Sequence, residues 1–120
     1  MTEQVKKMAL IAAAALDDRK AEDIQILDIS DMTVLADGFV LASASNVILV
    51  RALCDEVEQA MQGQGFAARR IEGYQAGRWV VLDFSDILVH ILHKEEREFY
   101  NLERLWSNGN NIESFPDVKG

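Results

Sequence analysis

The chain has 120 residues, of which 49% are hydrophobic and 27% charged, with a net charge of -8 and a pI near 4.6. These values are typical of one soluble globular domain. They argue against direct nucleic-acid recognition, which needs clustered Lys and Arg, and they suit a basic protein partner. The single cysteine excludes an intrachain disulfide, and the absence of a long apolar run predicts a cytoplasmic protein without a membrane span.

The first half of the chain predicts two helices and two strands. The helices show apolar side chains at i, i+3 and i+4, and the strands show either alternation or a dense apolar run. Thr2 is a predicted N-cap, as is Ser45 or Asn46. The predicted elements are a helix at Glu3–Leu16, strands at Asp23–Ile29 and Gly38–Ser43, and a helix from Ser45 or Asn46 to Gln62.

The second predicted helix has two features of its own. Cys54 lies on its apolar stripe, which favours a buried side chain. The helix also opens with the consecutive apolar residues Val47, Ile48 and Leu49. Three consecutive residues cannot all face one core, so at least one should be exposed. Such a residue could support self-association, which leaves a homodimer open.

A short strand at Arg69–Gly73 precedes a predicted hairpin that starts at Trp79 and turns at Ser85-Asp86. This turn pairs residue 82 with 89 and residue 80 with 91. Because side chains alternate along a strand, one face is wholly apolar and must be core. That face holds Val80, Leu82, Phe84, Ile87, Val89 and Ile91. The opposite face, which a helix or a partner must cover, holds Trp79, Val81, Asp83, Leu88, His90 and Leu92.

The pattern after the hairpin predicts one closing helix from about Glu95. Its contacts to the domain are expected from Phe99, Leu102, Leu105 and Trp106. The following sequence NGNNIESFPDVKG shows no periodicity. It predicts a mobile tail at residues 108–120 beside a single domain at residues 1–107. The strand–helix–strand passage favours a parallel pairing and the hairpin is antiparallel, so the fold class is α/β, a mixed sheet with flanking helices.

Several segments together resemble the ribosomal silencing factor family, also called the Iojap family. They occur in the family's order at close to its spacing, and the resemblance covers roughly Leu10 to Ser107. The matching segments are AEDIQILDIS at 21–30, LADGFVLAS at 35–43, VRAL at 50–53, IEGY at 71–74, WVVLDFSDILVHIL at 79–92 and REFYNLERLW at 97–106. This chain departs from the family at Ala44–Leu49, where most members have a Gly-Thr-Ser-Ser-like turn.

The resemblance implies both a fold and a function. The fold would be a five-stranded mixed sheet with flanking helices, similar in topology to nucleotidyltransferase domains. Family members bind the large-subunit ribosomal protein numbered fourteen, a basic protein on the face that meets the small subunit. A domain docked there would block subunit joining and repress translation during nutrient limitation or stationary phase. Related organellar proteins act in ribosome assembly, so a biogenesis role is the neighbouring alternative.

The resemblance also implies that the second face of the hairpin binds the partner. Trp79 can be read as a core residue or as an interface residue, and the resemblance favours the interface. Tyr100 and Trp106 either pack the last helix or line the same surface. The predicted partner-binding residues are Trp79, Val81, Leu88, His90, Tyr100 and Trp106. Asp83, Asp86, Glu95 and Glu103 are less certain members, because turn chemistry or solvation also explains them.

An enzymatic alternative is a nucleotidyltransferase-like enzyme that uses Mg²⁺. Asp28, Asp83 and Asp86 could supply carboxylates, and Ala42–Asn46 a phosphate-binding turn. However, this turn lacks glycine and no basic cluster lies nearby. His90 and His93 are three apart on a strand, so they point to opposite faces and cannot chelate one ion. The prediction is therefore a binding factor without a cofactor or metal, with an adaptor for another basic protein as a third possibility.

Overall fold

A computed structural model describes residues 1–116, which form four helices and six strands. Among the described helices, none is both long and apolar enough to cross a bilayer. The elements are α1 Glu3–Asp18, β1 Glu22–Asp28, β2 Gly38–Ala44, α2 Val47–Gly63, β3 Arg70–Glu72, β4 Trp79–Asp83, β5 Ile87–His93, α3 Lys94–Tyr100, α4 Leu102–Trp106 and β6 Ile112–Ser114.

The six strands form one mixed sheet in the order β3-β4-β5-β2-β1-β6. β2 and β5 are parallel, and every other neighbouring pair is antiparallel. The predicted α/β class with a parallel pairing is therefore confirmed. The parallel pair lies at the centre of the sheet, with β4 and β3 beyond β5 on one side and β1 and β6 beyond β2 on the other.

α1 and α2 cover the first face of the sheet and build the larger core with it. Thr2 and Asn46 cap these helices, each accepting from a backbone N–H three residues on. Cys54 is buried, and desolvation raises the pKa of its thiol to about 12. Ile48 is 74% exposed, as expected for one of the three apolar residues at the start of α2.

The hairpin has the predicted register. Leu82 pairs with Val89 and Val80 with Ile91, while the N–H of Phe84 donates to the Ile87 carbonyl across the turn. All six side chains of the predicted core face are buried in the larger core. Strict alternation on both sides of a two-residue turn therefore predicted this element correctly.

The sheet has six strands rather than the five expected, because part of the predicted mobile tail forms β6. Ile112–Ser114 pairs antiparallel with β1 at the sheet edge. The tail prediction is wrong for this segment, since three residues are too few for a periodic pattern to show. Residues 117–120, the end of the predicted tail, lie outside the described residues.

Asn111 joins this edge to the rest of the domain. Its Nδ2 donates to the carbonyl oxygens of Asp28 and Trp106, both at 2.8 Å. We expect Asn111→Ala to lower the free energy of unfolding by about 2 kcal/mol, because each lost bond contributes about 1 kcal/mol. Chemical denaturation measures this value. The exposed neighbour Asn110 is the control, and its alanine variant should stay within about 0.5 kcal/mol of wild type; equal effects would contradict the prediction.

Candidate partner-binding surface

The second face of the sheet is only partly covered. A smaller core lies here, built around Leu27, Leu41 and Leu92, and Leu102 and Trp106 of α4 pack on it. α3 packs on β5 and β2, and Leu102 of α4 is buried. The part of this face nearest β4 is left half-open. Helices therefore cover the centre of the second face and leave its β4 side accessible.

The predicted single closing helix is in fact two helices, separated by Asn101 in the left-handed conformation (φ 48°). This break changes which side chains face the sheet. Leu102 is buried and Trp106 half-buried, as predicted, but Phe99 is 79% and Leu105 68% exposed. The expected core contacts of Phe99 and Leu105 are wrong, because a left-handed residue ends the 3.6-residue periodicity on which they relied.

Trp79 opens β4 and contacts two of the other predicted site residues. Its Nε1–H donates to Nδ1 of His90 at 3.1 Å, on the neighbouring strand. Its ring also lies 4.9 Å from that of Tyr100, which in turn meets Phe99 edge to face at 4.9 Å. We call Trp79, Phe99 and Tyr100 the aromatic surface. Trp79 is half-buried, and the other two are exposed.

The inner end of this aromatic group lies inside the smaller core. Phe39 is buried and contacts the rings of His90 at 4.7 Å and Trp106 at 5.1 Å. Burial lowers the pKa of His90 to about 4, so the imidazole is neutral at pH 7 and its Nδ1 can accept from Trp79. His90 therefore holds the Trp79 ring in place through a hydrogen bond from the buried side of the sheet face. Trp106 packs on Phe39 rather than pointing outward.

The remaining predicted apolar site residues are half-buried on the same sheet face. Val81 pairs with His90 across the hairpin, and Leu88 pairs with Asp83. The Asp83 carboxylate accepts from the Ser85 N–H at 2.8 Å and lies 3.6 Å from Arg70. Asp86 is exposed in the turn, where its carbonyl accepts from the N–H of Asp37 at 2.9 Å. Val81 and Leu88 extend the aromatic surface along the sheet.

Three glutamates of the closing segment form ion pairs, in two groups. Glu95 and Glu96, at the start of α3, pair with Arg78, which precedes β4. The Glu95 side chain is 74% exposed. Glu103 pairs with Arg97, which is buried. Glu95 is therefore exposed although it pairs with Arg78, whereas the Glu103 carboxylate is engaged by a buried arginine. Sequence reasoning treated these glutamates alike and gave Arg97 no role.

The acidic metal arrangement considered from the sequence does not occur in the described part of the chain. Asp28, Asp83 and Asp86 do not converge there. One close group, His93 with Glu95 and Glu96, does occur. Its carboxylates already pair with Arg78, and His93 Nδ1 accepts from the Glu95 N–H as a helix cap. This group is explained by capping and ion pairing.

Comparisons with known proteins agree with this architecture. The model of the family "Ribosomal silencing factor during starvation" matches residues 2–119. "Ribosomal silencing factor RsfS" of Bacillus subtilis is 39% identical over 86% of this chain and 87% of its own length. The corresponding protein of Halalkalibacterium halodurans is 36% identical over 90% and 92%.

A solved structure extends the likeness to three dimensions. A crystal structure of a Chromobacterium violaceum protein superposes with a TM-score of 0.83 at 31% identity, covering 88% of this chain and 87% of that one. The family match also includes β6, beyond the stretch that the sequence motifs covered. The chain therefore belongs to the ribosomal silencing factor family.

Proposed function

We propose that this chain binds the large ribosomal subunit through its basic protein numbered fourteen and sterically blocks the joining of the small subunit, repressing translation when nutrients are limiting. The observation that carries the proposal is the aromatic surface of Trp79, Phe99 and Tyr100 beside the half-open sheet face. Clustered aromatic side chains with a polar rim are typical of interface hot spots. Family membership supports the ribosome as the target.

Charge supports a basic partner for this surface. The chain carries a net charge of -8, and the exposed carboxylates of Glu95 and Glu98 flank the aromatic side chains on α3. Opposite potentials speed association and disfavour wrong partners. The mechanism needs no catalysis, because a bound domain occludes the joining face and repression rises with the occupancy of its site.

Co-sedimentation with separated large and small ribosomal subunits tests the proposal. The wild-type chain should sediment with the large subunit only. Trp79→Ala should weaken this association about tenfold or more, as expected for a Trp at the centre of an interface. Ile48→Ala is the matched control, because Ile48 is exposed on α2, which covers the opposite face of the sheet. Its binding should equal that of wild type.

The contrary outcomes are distinct. Absence of binding to either subunit would overturn the ribosomal target, and Mg²⁺-dependent nucleotide binding would then favour the enzymatic alternative. Unchanged binding of a folded Trp79→Ala variant would overturn the choice of surface. Mixing both subunits with the wild-type chain tests the blocking step, since joined ribosomes should decrease. Normal joining despite binding would favour a role in assembly.

A further inference from the structure

Arg97 is the one Lys, Arg, Asp or Glu that is buried among the described residues. Its side chain is only 9% exposed, although arginine is rarely buried without partners. Its Nε donates to the Glu103 carboxylate on α4, and its Nη2 donates to the backbone carbonyl of Asp23 at 2.7 Å. Asp23 lies in a bulge of β1 with a positive φ of 50°. One guanidinium thus connects α3, α4 and the sheet.

Stability alone explains this arrangement poorly. A buried ion pair loses hydration on folding, and apolar residues of similar size often stabilise a protein as well. The Nη1 of Arg97 also has no hydrogen-bond partner among the described residues, which adds to that cost. What such a pair does supply is a defined geometry, because the planar guanidinium fixes the direction of each bond.

The segment that Arg97 holds cannot keep this geometry by itself. α3 has seven residues and α4 five, which is too short for either helix to be stable alone in water. In a continuous helix, positions 97 and 103 would lie about 120° apart around the axis and about 9 Å apart along it, so their side chains could not meet. They meet because Asn101 adopts the left-handed conformation. The ion pair therefore selects the bent arrangement over a continuous helix.

We propose that Arg97 is a positioning residue that locks α3 and α4 in the bent arrangement and so presents Phe99 and Tyr100 beside Trp79. Phe99 and Tyr100 lie two and three residues after Arg97 in α3, and Tyr100 contacts Trp79. Loss of the guanidinium lets this segment move, and the aromatic surface then loses its fixed shape. The binding part of this inference rests on the proposed function, whereas the structural part does not.

The experiment compares Arg97→Gln with Arg104→Gln in the full chain. Arg104 is a matched control, because it is an exposed arginine of α4 without an ion pair among the described residues. Hydrogen exchange should become at least tenfold faster in Arg97→Gln at the amides of residues 94–106. Exchange in β4 and β5 should not change. Association with the large subunit should weaken about tenfold, while Arg104→Gln matches wild type in both measurements.

Arg97→Lys refines the test, since a lysine keeps the charge but lacks the planar fork that reaches two acceptors in fixed directions. It should resemble Arg97→Gln in exchange and in binding. Each contrary result overturns the proposal: faster exchange throughout the chain, lost binding without a local change in exchange, or a local change with normal binding. If the wild-type chain does not bind the large subunit, the proposed function fails, and the exchange data alone decide whether Arg97 holds the segment.

Discussion

Phe39→Ala is expected to lower the free energy of unfolding by about 3–5 kcal/mol, the usual range for removing a buried aromatic ring. Phe39 is 5% exposed and contacts both His90 and Trp106. Its loss leaves a cavity under α4 that these rings cannot fill without moving. Equilibrium denaturation with urea measures the change, and the slope of the unfolding curve should stay constant.

Phe99 provides the matched control, because it is the same residue type but 79% exposed. Phe99→Ala should change the free energy of unfolding by no more than about 0.5 kcal/mol. It should nevertheless weaken association with the large subunit, since Phe99 belongs to the aromatic surface. Equal destabilisation by the two alanine variants would contradict the division of this face into a buried and an exposed part.

Acid should destabilise the domain through His90. The folded pKa of this imidazole is lowered to about 4 from its ordinary value of 6.5, because burial penalises the charged form. Between these two values the unfolded chain binds a proton that the folded chain does not, so stability falls as the pH decreases. The difference between the two pKa values corresponds to a loss of about 3 kcal/mol between pH 7 and pH 4.

His90→Asn isolates this contribution. The Oδ1 of asparagine can accept from Trp79 as Nδ1 does, but the amide does not titrate. Carboxylates also titrate near pH 4, so the measured quantity is the difference between the two stability curves. We expect the curve of the variant to be flatter by about 3 kcal/mol over this interval. Parallel curves for the two proteins would show that His90 is accessible to protons in the folded state.

The elements predicted correctly are those whose determinants are local. The periodicity of α1 and α2 and the alternation around Ser85-Asp86 depend on near neighbours, and they are as predicted. The bend at Asn101 was not predicted. Asparagine tolerates the left-handed conformation better than most residues, but one asparagine within a helical pattern is also compatible with an unbroken helix. β6 was missed because its pairing partner, β1, lies far away in the sequence.

The candidate surface was likewise predicted correctly only where its residues follow from a local pattern. Alternation placed Trp79 and His90 on one face, and their diagonal positions on paired strands allow the hydrogen bond that the structure shows. The roles of Phe99 and Arg97 could not be deduced in this way. The helical pattern placed Phe99 in the core and gave Arg97 no role. The bend between α3 and α4 decides which side of each helix faces the sheet, and it leaves Phe99 exposed and Arg97 buried.

The central parallel pair has a consequence for how the protein is made. Gly38 of β2 pairs with Ile87 of β5, although α2, β3 and β4 lie between them in the chain. Pairing over such a separation closes a large loop and is slow compared with local pairing. During synthesis the β2–β5 pairing can form only after β5 has left the exit tunnel, and the β1–β6 pairing only after β6 has left it. We therefore expect a nascent chain to acquire its aromatic surface only after β5, α3 and β6 have left the exit tunnel.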